Sequence, residues 1–423
     1  MTEMTVTYVL ASPGLGGFFF DDQAAIKAGA VRDGAGYLGE PATRGYAVIR
    51  EPAESVSISL ILSDGYIAQG DCASVQYSGV GGREARFHAA DLALSIERDL
   101  APLLIGLDMH SFRSAAIATE RLIATIPGLG RAAAYGVSQA LLDAAAHAAG
   151  HHLMAKVITD EWNLEAPLAA VPLYAQTGEE RYTNVDKMIL KRVPVIPHGL
   201  INTKELVGEG GAALVAYISW IRERIALLAR SKEYAPVIHL DVYGMIGVQA
   251  GGSIMETTDI LQILERAAAP LQLRIEHPID GGSREQQVRL MGELRRELAS
   301  RGSKVGLVAD EWANTYDDIR IFLDQSATDF IQIKTPDLGS LHNTVDAILE
   351  CQAHGIGAVL GGTCAETDRS ARTTTHIGIA TGVTQMLAKP GMGVDEGLMI
   401  VTNEMNRALR LSSFIDRPKG VSA

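Results

Sequence analysis

The feature that most constrains this chain is a rhythm in its second half. Short apolar runs recur there, each ending in polar residues and each followed by a helical pattern. They occupy residues 169–174, 193–196, 237–240, 271–275, 304–308, 329–333, 357–360 and 385–388. The intervals are about 22 to 44 residues, which is what a β-strand, a loop and a covering helix need, because parallel strands require a long crossover. Eight such units in about 220 residues fit a (β/α)8 TIM-type barrel better than an open sheet.

The first 165 residues have a different texture. Residues 55–62, SVSISLIL, are β-branched and apolar, and 66–70 are placed to form the hairpin partner. A glycine-rich loop, YSGVGG at 77–82, comes next. Helical patterns then cover 89–104 and 131–149, with Gly150 as a stop signal. No low-complexity linker separates the halves. The expected fold is therefore α/β: an N-terminal α+β capping domain at 1–165, packed on a barrel domain at 166–423.

Composition narrows the function. The chain has 50 acidic and 37 basic residues and a net charge of −13, which repels phosphate backbones and argues against nucleic acid as a partner. Its three cysteines, Cys72, Cys351 and Cys364, form no CxxC pair, so neither a disulfide framework nor a thiolate zinc site is expected. No apolar stretch is long enough to span a membrane, and the N-terminus lacks the pattern of a secretion signal. A cytoplasmic protein with no membrane partner is the expectation.

Reactive groups in such a barrel sit at the C-terminal ends of its strands. The third, fourth and fifth runs end in Asp241, Glu276 and Asp310, spaced 35 and 34 residues apart. On consecutive strands these acids converge on one side of the mouth. Three hard oxygen donors suit Mg²⁺, and without a cation they repel one another. The bland alternative is three separate solvated loop acids. In the sixth run, strand alternation turns Ile331 and Ile333 outward and Gln332 and Lys334 inward. An inward lysine near a dication can have a lowered pKa and act as a general base, or it can merely neutralise the acids. The second run leads to His198, which can titrate near neutrality, donate to an oxyanion or simply pack. Gln176 follows the first run. Gly361-Gly362-Thr363-Cys364 follow the seventh, where backbone N–H groups can hold a carboxylate or form an ordinary turn. Weaker signals are set aside. Gly128-Leu129-Gly130 lacks the preceding strand of a dinucleotide site, and His151-His152 reads as a solvated turn.

The stretches PLYAQTGEERYTNVDKMILKRVPVIPHGLIN, HLDVYG, IEHPID, VADEWANTYDDI, IQIKTPDLG, GGTCAET and KPGMGVDEG resemble the methylaspartate ammonia-lyase family of the enolase superfamily. FDDQAAIKAGA and GDCASVQYSGVGG extend the resemblance to about residues 17–410. It implies reversible anti elimination of ammonia from (2S,3S)-3-methylaspartate to mesaconate, through C3 proton abstraction and a metal-stabilised enediolate. By motif, Asp241, Glu276 and Asp310 would bind Mg²⁺, and Lys334 would take the C3 proton. His198 would lie on the opposite face, bind the metal-bound carboxylate and serve the other C3 epimer. Gln332 would contact that carboxylate. Gln176, Thr363 and the Cys364 backbone N–H would hold the carboxylate next to the amine, and Gln76 would close over the substrate from the cap. The resemblance also implies a homodimer, K⁺ as an activator and glutamate fermentation as context.

The chain departs from the pattern at Val359, where the family usually has tyrosine, and at Tyr174, where phenylalanine is familiar. With Leu387 these lie near the expected alkyl pocket, and the smaller Val359 bears on the preferred 3-substituent. His277 stands where glycine is expected, and alternation points it away from the metal. Three other readings compete. A racemase or muconate cycloisomerase of the same superfamily usually carries Lys-x-Lys where this chain has Pro197-His198-Gly199-Leu200. A non-catalytic barrel would bind a dication or carboxylate without exchanging C–H protons. A lysine forming a Schiff base would be trapped by borohydride.

Overall fold

A computed structural model of the chain describes residues 4–150, 152–231 and 233–415. In the N-terminal part, β1 (Val6–Asp21) is followed by a small ribbon of β2 (Val31–Asp33) and β3 (Gly36–Leu38), then β4 (Arg50–Leu62) and β5 (Ile67–Cys72). β1, β4 and β5 form an antiparallel sheet in that order. The expected hairpin is there, with Val56 opposite Cys72 and Ile61 opposite Ile67. Alternation buries Val56, Ile58, Leu60 and Leu62 against the helix Arg131–Ala148, each contributing about 1.5–3 kcal/mol. Two glycines set how close that helix comes. A Cβ on Gly70 would strike the Gly136 carbonyl, and a Cβ on Gly136 would strike Cys72. The expected 89–104 helix is continuous but changes winding, with a π turn at Ile96–Leu100 between Ala89–Ser95 and Ala101–Leu104.

The second half closes into the expected barrel. Its parallel strands are β6 (Leu173–Ala175), β7 (Val195–Ile196), β8 (Val237–Asp241), β9 (Leu273–Glu276), β10 (Gly306–Ala309), β11 (Phe330–Ile333), β12 (Gly357–Leu360) and β13 (Gln385–Ala388), with β13 hydrogen-bonded to β6. β8 and β12 to β13 start where the sequence places them. The others start later, because an apolar run can lead into the barrel before its backbone reaches a neighbour's ladder. At β6, for example, Pro172 has no N–H to give, though its carbonyl accepts from Met386 N at 2.9 Å. β8 and β9 run one residue further than expected, which makes Asp241 and Glu276 paired strand residues.

Ile331 and Ile333 pack outward into the main core, as alternation requires. Tyr174, Val195, Val308, Val359 and Leu387 form a separate apolar floor inside the barrel. The cap rests on the barrel mouth. Gly17 N donates to Glu366 O at 2.8 Å, Gln76 N donates to Thr363 Oγ1 at 3.0 Å, and Asn314 reaches up to Gly81 O at 2.7 Å. Among the described residues, no helix is long and apolar enough to cross a membrane.

Candidate active site

Asp241 and Glu276 end β8 and β9, Asp310 directly follows β10, and all three are buried, at most 1% exposed. Glu276 is supported from two sides. Its Oε1 accepts from Gln332 Nε2 at 3.1 Å, and its Oε2 lies 2.8 Å from His239 Nε2. Gln385 Nε2 faces His239 Nδ1 at 2.8 Å, so the network assigns Nδ1 as acceptor and leaves Nε2–H to donate to Glu276. Burial first, then the charges of Arg274 and His198, hold His239 well below its ordinary pKa, so it stays neutral. Tyr174 stacks on it at 4.2 Å.

The acids are short of positive charge. Burial, reinforced by Asp241 and Asp310, pushes Glu276 well above the usual carboxylate range against the opposing Lys334 and Gln332. Burial and Glu311 push Asp310 up to about 6, although Lys334 and Arg83 oppose them. A dication placed among these oxygens would relieve that repulsion, and an all-carboxylate donor set suits Mg²⁺. A ring nitrogen of His198 and oxygens of Asp241 and Glu276 lie within 4.8 Å of one another. Asp310 is turned toward Lys334 Nζ at 2.7 Å and Arg83 at 3.3 Å.

The sequence expectation of a lowered Lys334 pKa is for a site that holds a dication; the groups of the chain by themselves act the other way. Burial and Arg83 pull it down, but Asp310, Glu311 and Glu276 more than compensate and raise it. With only these neighbours the ammonium is favoured. His198 Nε2 lies 3.2 Å from Asp241, and its buried Nδ1 has no hydrogen-bond partner among the described residues.

One cavity gathers the other expected residues. Lys334, His198, Gln176, Gln332, Thr363, Cys364, Gln76 and Leu387 all line it. The Thr363 N–H is engaged by Glu366 at 2.9 Å, so it does not point at a ligand. The Cys364 thiol donates to Gln76 Oε1 at 3.2 Å, and burial raises its pKa, which keeps it protonated. Val359 and Tyr174 sit in the floor beside Leu387, and the buried Tyr174 hydroxyl has no hydrogen-bond partner among the described residues. His277 leaves β9 at φ +49° and its ring meets Glu311 at 3.1 Å, away from the three acids.

Sequence reasoning missed Arg83, Tyr77, Tyr243 and Met392 in the lining, and His239 beneath it. His239 was within reach, because alternation puts it on the same face as Asp241. Arg83 was not, because only the packing of the glycine loop on the barrel carries it to Asp310, Glu311 and Asp337. The motif at 128–130 opens a helix that follows another helix rather than a strand, and Glu84 already accepts from Arg131 N at 2.9 Å. His151 lies outside the described residues.

Known proteins resemble this chain over nearly its whole length. Residues 4–163 match the family model described as methylaspartate ammonia-lyase N-terminus, and residues 166–413 match that of the C-terminus. The methylaspartate ammonia-lyase of Clostridium tetanomorphum is 50% identical over 409 residues, covering 96% of this chain and 99% of that one. A solved Mg complex of β-methylaspartase from the same organism is 49% identical with a TM-score of 0.90, over 97% of this chain and 100% of that one. The Citrobacter amalonaticus methylaspartate ammonia lyase containing (2S,3S)-3-methylaspartic acid is 46% identical with a TM-score of 0.93, again over 97% and 100%.

Proposed function

The chain belongs to the methylaspartate ammonia-lyase family of carbon–nitrogen lyases, and from that premise we propose that it removes ammonia reversibly from (2S,3S)-3-methylaspartate to give mesaconate, with Mg²⁺ as cofactor. The observation that carries this reading is that three residues lining one small cavity each reach a buried acid behind it: Lys334 to Asp310 at 2.7 Å, His198 to Asp241 at 3.2 Å and Gln332 to Glu276 at 3.1 Å.

Asp241, Glu276 and Asp310 are the residues that would hold Mg²⁺. When bound, the ion supplies positive charge that offsets these acids and makes the carbon beside the substrate carboxylate more acidic. Lys334 takes the C3 proton. For that it must be neutral, and its raised pKa beside Asp310 falls once the acids have another counter-charge. His198 stands ready at the same cavity to bind the reacting carboxylate and to serve the other C3 epimer. Gln332 uses one amide hydrogen on Glu276 and has a second for that carboxylate. Gln176, Thr363 and the Cys364 N–H hold the carboxylate next to the amine, and Gln76 covers the substrate from the cap. Val359 widens the space beside Leu387, which favours bulkier 3-substituents.

We place the domain boundary at 165/166, a reading supported by the two matched family segments. A cytoplasmic homodimer activated by K⁺ completes the proposal. The testing experiment is an ultraviolet assay for mesaconate from (2S,3S)-3-methylaspartate with Mg²⁺ and K⁺, repeated with EDTA. Product that disappears with EDTA is the expected result. No product in either case would sink the substrate assignment, and the absence of C3–H exchange in D₂O would sink proton abstraction itself.

A further inference from the structure

Gln76 has its side-chain amide fixed from behind. Its Nε2 donates to Asp21 Oδ2 at 2.7 Å. An ionised carboxylate only accepts, so the amide oxygen cannot take that place. Oε1 is therefore on the other side, beside the Cys364 thiol, and Gln76 and Cys364 both line the cavity. Asp21 is gripped in turn by Arg50, with Nε to Oδ1 and NH2 to Oδ2 both at 2.7 Å. This is a two-pronged, charge-assisted pair, and both side chains are at most 5% exposed. Arg50 is itself enclosed by the rings of Phe18, Phe19 and Tyr37. Its NH2 also reaches Glu179 Oε1 at 3.1 Å, three residues beyond Gln176. One guanidinium thus joins the cap residue behind Gln76 to the barrel loop that carries Gln176.

We propose that Asp21, held by Arg50, is a positioning residue that presents the carbonyl oxygen of Gln76, rather than its NH2, to the cavity. That wall then accepts from an amine or ammonium and disfavours a carboxylate. The inference rests on the amino-dicarboxylate reading above and concerns where the amine leaves and enters. Neither Asp21 nor Arg50 lines the cavity, so their effect passes through Gln76.

The test is Asp21→Asn, measured in the direction that adds ammonia to mesaconate. An asparagine can donate to Gln76 Oε1 and loses the ion pair with Arg50, so the amide is free to turn. The expected result is a KM for ammonia raised about tenfold, the scale of a hydrogen bond to a charged group. KM for mesaconate and kcat should stay within about twofold. An unchanged ammonia KM, or a parallel loss in all three, overturns the proposal. If Asp21→Asn does not fold, Arg50→Lys, which keeps the charge but not the two-pronged grip, is expected to show the same split more weakly. A parallel change there overturns the proposal equally. A wild-type protein that makes no mesaconate would defeat the function reading instead. The orientation is then read separately, from the solvent exchange of the Gln76 side-chain amide in protein labelled with ¹⁵N-glutamine. Slower exchange in the wild type than in whichever of the two variants folds supports the proposal, and equal rates refute it.

Discussion

At the barrel mouth, burial and like charge push Glu276 and Asp310 above the ordinary carboxylate range. On the helix Val394–Ile415 that covers the outside of the barrel, Glu404 goes the other way, down to about 2. Burial alone would raise Glu404 as well. Hydrogen bonds from His376 at 3.2 Å and Arg407 at 2.6 Å outweigh it, and the Arg372 guanidinium lies 3.6 Å away. A deeper pair, Lys389 and Glu366, is matched one to one at 2.9 Å. Where an acid only holds elements together, this protein supplies the counter-charge itself. At the mouth it brings three acids together with an incomplete set of cations, and the missing charge is what a ligand can contribute.

The sharpest way to break this contrast is Lys334→Ala. Deamination of (2S,3S)-3-methylaspartate should fall about 10²–10⁴-fold, the usual contribution of a positioned base. Stabilisation by Mg²⁺ in a thermal melt should persist, because the acids are intact. Near-normal turnover would return Lys334 to the role of a neutralising group.

Next in size is the metal itself. Mg²⁺ at 100 times its Kd should stabilise the wild type by about 2.7 kcal/mol. Glu276→Gln should abolish that shift, and Glu404→Gln should leave it unchanged. If the two variants respond alike to Mg²⁺, the distinction between the clusters fails.

The smallest effect is on acid stability. Glu404 has a depressed folded pKa, so its contribution is fully present above the unfolded value near 4.5 and is lost as pH falls toward about 2. Glu404→Gln should therefore lower stability at neutral pH by on the order of 1–2 kcal/mol, discounted for its partial exposure, with little difference near pH 2. Denaturant melts at the two pH values check this. A penalty of equal size at both would mean that packing, not charge, is what Glu404 contributes.

Much of this was legible in the chain. Eight apolar runs at βα spacing determine a barrel, because each strand must be buried on both faces and each crossover needs a helix. Period-two alternation places Gln332 and Lys334 inside and Ile331 and Ile333 outside, and the spacing of Asp241, Glu276 and Asp310 brings them to one rim. Those are local rules of chain geometry. The tertiary structure alone decided what meets those residues from far along the chain. Arg83 comes 227 residues to reach Asp310, and the Gln76 backbone comes 287 to reach Thr363. Asp21 and Arg50 together fix which end of an amide faces the cavity. The ionisation of Lys334 also belongs to this second group, because it depends on the sum of charges packed around one ammonium. Periodicity specifies which way a side chain points along its own strand. Electrostatic balance depends on distances between strands and domains, and these exist only once the cap has closed on the barrel.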